Sequence, residues 1–182
     1  MKLFKIYTQD DPVVHKKAEP VALPVDEETR KTLLDMIEYL KESQIPEIAE
    51  KYNIRSGVGI AAPQIGISKR FYAIYFDDND KHYEYGLVNP VIVSSSAKRA
   101  YLKTGEGCLS VPVDQKGYVY RYFRVTIKAF DVVSNKDVTL HLAGYPAIVF
   151  QHEYDHLDGI LYIDKINKLN PFHEEPGAVA IE

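Results

Sequence analysis

The segment that most constrains this chain runs Gly144-Tyr-Pro-Ala-Ile-Val-Phe-Gln-His-Glu-Tyr-Asp-His-Leu-Asp-Gly159. Proline suits the first turn of a helix, where its missing N–H costs nothing, and glycine makes a natural stop just past the end. A helix between these signals puts His152 and His156 on one face, one turn apart, with Glu153 beside the first. Two imidazoles so placed can both reach one ion, and the adjacent carboxylate can approach a water on it. The same spacing also occurs on surface helices whose two histidines are merely solvated. Ile148 and Val149 precede His152 on the same side. They suit plain core, or the lining of a pocket for an apolar substrate group, and the two roles are compatible.

Two histidines leave a catalytic metal site one protein ligand short. The extended zinc-protease pattern needs a further His after Gly159, but Tyr162 stands there. Glu174 and Glu175 lie at the distance of a downstream acidic ligand, yet in a Pro-flanked tail. The chain's one cysteine is a better candidate. Cys108 sits in Gly105-Glu-Gly-Cys-Leu-Ser-Val-Pro112, and thiolate is a strong ligand for a transition metal. A lone cysteine is also commonly a small buried hydrophobe, and a nucleophilic Cys–His pair is a further option.

The 182 residues, 46% of them apolar and 26% charged, can fill and cover one core, which excludes disorder over the whole chain. A single cysteine excludes a disulfide-stapled scaffold. A net charge of −4 argues against nucleic acid or an anionic membrane as the main partner. The N-terminus carries no apolar stretch of the kind a secretory signal needs, and no segment approaches the ~18 apolar residues of a membrane helix. A cytoplasmic location is expected.

Along the chain, residues 1–24 read as irregular. Asp26 caps an amphipathic helix carrying Leu33, Leu34, Ile37 and Leu40, and a shorter helix runs from Pro46 through Tyr52. Residues 57–66 form a Gly/Ala/Pro-rich loop. Strands are expected at 70–76, 85–93, 118–130 and 138–142, with turns at 77–80 and 134–137. The fold class is α+β: antiparallel sheets packed around the late helix, plus an N-terminal helix, in a single domain over 1–182 whose last residues, about 166–182, are a loose tail.

Three segments occur in order: Gly57-Val-Gly-Ile-Ala-Ala-Pro-Gln64, Glu106-Gly-Cys-Leu-Ser110 and Gln151-His-Glu-Tyr-Asp-His156. Together they resemble the three signature motifs of peptide deformylase, over about residues 1–165. The extra residues from Ser43 to Arg55 and the short tail resemble the longer, type 2 bacterial form, whereas Pro112 resembles the other form. The resemblance implies removal of the N-formyl group from the starting methionine of nascent polypeptides, releasing formate. It implies one divalent metal ion on Cys108, His152 and His156, naturally Fe²⁺, with Zn²⁺, Ni²⁺ or Co²⁺ able to replace it. It implies Glu153 as general base, with the Gln64 amide and the Leu109 backbone N–H as donors to the developing oxyanion. Gly59 is expected to let the backbone approach the peptide. Glu106 and Arg121 are expected to pair and prop the Cys108 segment. Ribosome contact is compatible with such a substrate. The competing enzymatic reading is a His-Glu-x-x-His metallopeptidase, and the non-enzymatic one a structural metal module. His15, His82, His141 and His173 match no motif.

Overall fold

The computed structural model describes residues 2–182. Helix α1 spans Glu27–Ser43; the Asp26 side chain accepts the Thr29 N–H at 2.7 Å, and two glutamates occupy the first turn, as the helix dipole favours. Leu33, Met36, Ile37 and Leu40 form its buried stripe, while Leu34 is turned outward. Helix α2, Pro46–Tyr52, ends where Asn53 takes a left-handed conformation. The third helix, α3, spans Tyr145–Leu157. Arg70 closes its C-terminal end, donating to Leu157 O at 2.7 Å and pairing with Asp158 at 3.0 Å.

Two sheets flank α3. The larger holds β1 (Gly59–Ala61), β2 (Phe71–Asp78), β3 (Lys81–Ser95), β6 (Arg124–Asp131) and β7 (Lys136–Ala143) in the order β1-β2-β3-β6-β7, all antiparallel. The smaller holds β4 (Arg99–Leu102), β5 (Arg121–Tyr122) and β8 (Val179–Ile181) in the order β5-β4-β8. Alternation along β2 explains the layering. Tyr72, Ile74 and Phe76 pack with Phe150, Val149 and Leu157 of α3. Phe71 and Ala73 face the opposite way and pack with Leu33, Met36 and Leu40 of α1. The larger sheet is thus buried on both faces, between α1 and α3. A third apolar cluster joins Cys108, Val111 and Val119 to Leu161 and Tyr162.

Besides β4, a strand not expected from the sequence, three features depart from the sequence reading. The segment 57–66 is not all loop: β1 lies within it, followed by a 3₁₀ turn at Ala62–Ile65. The run 118–130 is not one strand; it breaks at Phe123, so that β5 joins the small sheet and β6 the large one. The residues expected as a loose tail include β8, which pairs in parallel with β4 through Ala100↔Val179 to Leu102↔Ile181. Three apolar residues carry too weak a period to read as a strand; only the distant partner makes them one. No helix among the described residues is long and apolar enough to cross a membrane.

The small sheet orients the metal-motif helix. The Gln151 side chain reads the Tyr122 backbone on β5 as a strand would: its oxygen accepts the Tyr122 N–H at 3.0 Å and its nitrogen donates to Tyr122 O at 2.8 Å. This anchor sets α3 against β5, one residue from Arg121.

Candidate metal centre

The Cys108 segment follows β4 as an irregular loop, tightened where Val111 N–H donates to Cys108 O at 3.0 Å. It carries Cys108 to the histidine face of α3. One ligand atom each from Cys108, His152 and His156 lie within 4.8 Å of one another, and Cys108 Sγ stands 3.3 Å from His156 Nε2. Two such ligands on one tetrahedral ion, with bonds of about 2.3 and 2.1 Å, would sit roughly 3.6 Å apart. The donor set, one thiolate and two imidazoles, suits a divalent transition metal.

His152 is aimed by its other nitrogen. Nδ1 lies 2.8 Å from Glu106 Oε1, which leaves Nε2 free for the cluster; an outer carboxylate holding a ligand imidazole in this way is the usual support of metal sites. Glu106 is in turn gripped by Arg121 through two bonds, 2.8 and 2.9 Å, and Arg121 reaches Asp155 at 2.8 Å. Lys165 closes the chain on Asp155 at 3.2 Å. Burial would raise the Glu106 pKa, but the Arg121 charge and the hydrogen bonds from His152 and Arg121 outweigh it and hold the carboxyl at about 2. Burial, reinforced by the Arg121 charge, keeps His156 in the neutral form that can ligate.

Glu153 differs from its acidic neighbours. Its side chain is buried with no cation in contact, and Oε1 has no hydrogen-bond partner. Desolvation pushes its pKa up to about 7, against the opposing pull of His152 and Arg121. A buried carboxylate oxygen left unpaired is costly, and one beside a three-ligand cluster is where a reacting water would find a base. It lines a cavity of about 260 Å³ together with Gly59, Gln64, Cys108, Leu109, Ile148, Val149 and His152.

The Polypeptide deformylase family profile matches residues 3–172. This chain belongs to the peptide deformylase family. It is 49% identical to peptide deformylase 2 of Bacillus anthracis over 178 residues, covering 97% of this chain and 96% of that one. It is 50% identical to peptide deformylase 2 of Geobacillus stearothermophilus over 177 residues, with the same coverage. Its fold is similar to the crystal structure of peptide deformylase from Thermotoga maritima, with a TM-score of 0.71, 35% identity, and coverage of 92% of this chain and 99% of that one. The enzyme is a hydrolase that removes the N-formyl group from nascent polypeptides. Its family is metal-dependent, and the chain holds a matching Cys-His-His cluster.

Of the residues expected from sequence, Gly59, Gln64, Cys108, Leu109, Ile148, Val149, His152 and Glu153 all border the one cavity, while His156 lies fully buried behind it. Glu106 and Arg121 pair as expected. Gly59 shows a reason of its own for being glycine: a Cβ there would stand 2.6 Å from Glu153 Oε2 and 2.8 Å from its Cδ. The missing side chain makes room for the Glu153 carboxylate. Sequence reasoning did not single out Asp155, Lys165, Arg55 or Ser110. Asp155 was within reach, being one helical turn from Gln151. Arg55 donates to Cys108 O and Val111 O at 3.1 and 3.0 Å, a contact across more than fifty residues of chain that leaves no local signal.

Proposed function

We propose that Cys108, His152 and His156 hold the catalytic ion, and that Glu153, Gln64 and the Leu109 N–H divide the chemistry around it. The observation that carries this reading is the unpaired, buried Glu153 carboxylate in the same cavity as the three-ligand cluster. A divalent ion, when bound, supplies a water acidic enough to ionise near neutral pH.

Glu153 takes the proton of the attacking water and delivers a proton to the leaving amine nitrogen. Water oxygen bonds to the formyl carbon, the carbon–nitrogen bond breaks, and formate and a free amino terminus result. As the formyl carbon becomes tetrahedral its oxygen gains negative charge. The Gln64 side-chain amide and the Leu109 backbone N–H are the donors for that charge. Ile148 and Val149, both buried at the cavity wall, receive the methionine side chain, and Gly59 leaves space for both base and peptide backbone.

The native ion is proposed as Fe²⁺. Zn²⁺, Ni²⁺ and Co²⁺ suit the same donors, and raw affinity favours several of them over iron, so availability in a reducing cytoplasm decides. The whole chain, 1–182, is proposed as one catalytic domain acting in the cytoplasm, where contact with the ribosome would bring it to its substrate.

The test is anaerobic purification followed by assay of a formyl-Met peptide and its unformylated twin. Formate release from the first, with no internal cleavage of either, is expected. Internal cleavage would favour a peptidase using the same helix; absence of formate release from metal-replete protein would overturn the assignment.

A further inference from the structure

The Gln64 amide is fixed in an orientation that the atoms around it determine. Ser110 Oγ lies 2.6 Å from Tyr7 O. A carbonyl only accepts, so the serine hydroxyl must donate its one proton there. Its oxygen is then an acceptor toward Gln64, whose Nε2 stands 3.1 Å away. On the other side, Gln64 Oε1 accepts the Ala61 N–H at 2.9 Å. Both ends of the amide are therefore assigned by their partners. One Nε2 proton is spent on Ser110, and the other is directed at Cys108 Sγ, 3.6 Å away, on the side of the Cys-His-His cluster. Gln64 and Ser110 are both fully buried, so water does not compete for these bonds.

The N-terminal segment holds this arrangement from behind. Tyr7 N–H donates to Gln64 O at 2.8 Å and Gln9 N–H donates to Ser110 O at 2.9 Å. Residues 7 and 9 thus bind the backbones of both segments while Tyr7 O takes the Ser110 proton. The irregular N-terminus ties the first motif to the second.

We infer that Ser110 is a positioning residue for the deformylation reaction: anchored on Tyr7 O, it holds the Gln64 amide so that its second N–H faces the reacting oxygen. Ser110 touches neither substrate nor ion in this role. The inference rests on Gln64 being an oxyanion donor, and the test separates the two.

A double-mutant cycle on the metal-loaded full-length enzyme decides it, with kcat, KM and metal content measured for each variant. Gln64→Ala should lower kcat by about 10²–10³. Ser110→Ala should lower kcat by roughly ten- to a hundredfold, through a misplaced donor, with KM nearly unchanged and metal retained. In the Gln64→Ala background, Ser110→Ala should cost no further kcat, since its effect passes through the missing amide. If the alanine protein fails to fold, Ser110→Cys, near in volume and a poor acceptor, takes its place in the same cycle. Losses that multiply in the double variant, an unchanged kcat in the single Ser110 variant, or a loss explained by missing metal would each overturn the inference. An unchanged kcat in Gln64→Ala would instead overturn the reading of Gln64.

Discussion

The enzyme contains two histidines clasped by carboxylates. His152 meets Glu106 at 2.8 Å inside the protein; His82, near the start of β3, meets Asp77 at 2.6 Å and Glu84 at 2.9 Å on the surface. The bonds are alike, but the surroundings are not. Glu106 is 8% exposed and needs Arg121, itself bound to Asp155, to remain charged there. The His82 ring is 46% exposed, and its partners more or less so. In water each charge has an alternative partner, and the pair is worth little. In the interior there is none, so removing one member strands the rest. Burial converts the same contact from a surface detail into a device for aiming an imidazole at the Cys108–His156 cluster.

The largest test of this contrast is chemical. Glu153 is the one buried carboxylate of the site without a cationic partner, and Glu153→Ala should lower kcat by about 10²–10⁴ while metal content by elemental analysis stays at one ion per chain. Loss of the ion would show that the helix face itself needs the carboxylate.

Next is stability. Arg121→Met leaves Glu106 and Asp155 without their shared cation, and urea denaturation should show a loss of roughly 3–5 kcal/mol. A loss as small as that of a surface pair would break the comparison outright.

A gentler change sharpens it. Glu106→Gln keeps the shape of the support but removes its charge, so metal affinity measured by chelator competition should fall about 10- to 100-fold, with the fold retained.

The smallest effect belongs to the surface. Hydrogen bonds donated by the His82 ring to Glu84 and then to Asp77 raise the His82 pKa. A raised folded value means that protonated His82 stabilises the fold below its unfolded pKa, about 6.5, and that this is lost as pH rises through the folded value. His82→Gln should therefore cost at most ~1 kcal/mol, visible in thermal melts near about pH 6 and absent well above the folded pKa. A cost that grows with pH would contradict the sign.

Much of the site was legible because its chemistry is carried by short, local patterns. The i, i+4 histidines, the proline and glycine at either end of α3, and the motif containing Cys108 each need only a few neighbouring residues to be read. The Glu106–Arg121 pair followed from the family resemblance. Asp155 and Ser110 stand inside the motifs but, like Lys165, were not singled out, because their partners are distant: Ser110 bonds Gln64 and Tyr7, far away along the chain, and Asp155 acquires its role only when Arg121 arrives on β5. The strands show the same division. The apolar, aromatic-rich run of β2 was readable as a strand, whereas β4 and β8 are short and gain identity by pairing with each other.

By itself, then, the amino-acid order determined the helix that carries His152, Glu153 and His156, the single thiol available to join them, and the α+β class. These depend on backbone preference and periodicity, which act over a turn or two of chain. Tertiary structure alone decided which carboxylates are paired and which is left unpaired, where glycine must yield space to Glu153, and how the N-terminal segment locks Gln64 to Ser110. Those outcomes depend on burial and on partners distant in sequence, and neither quantity exists until the sheets close around the helix.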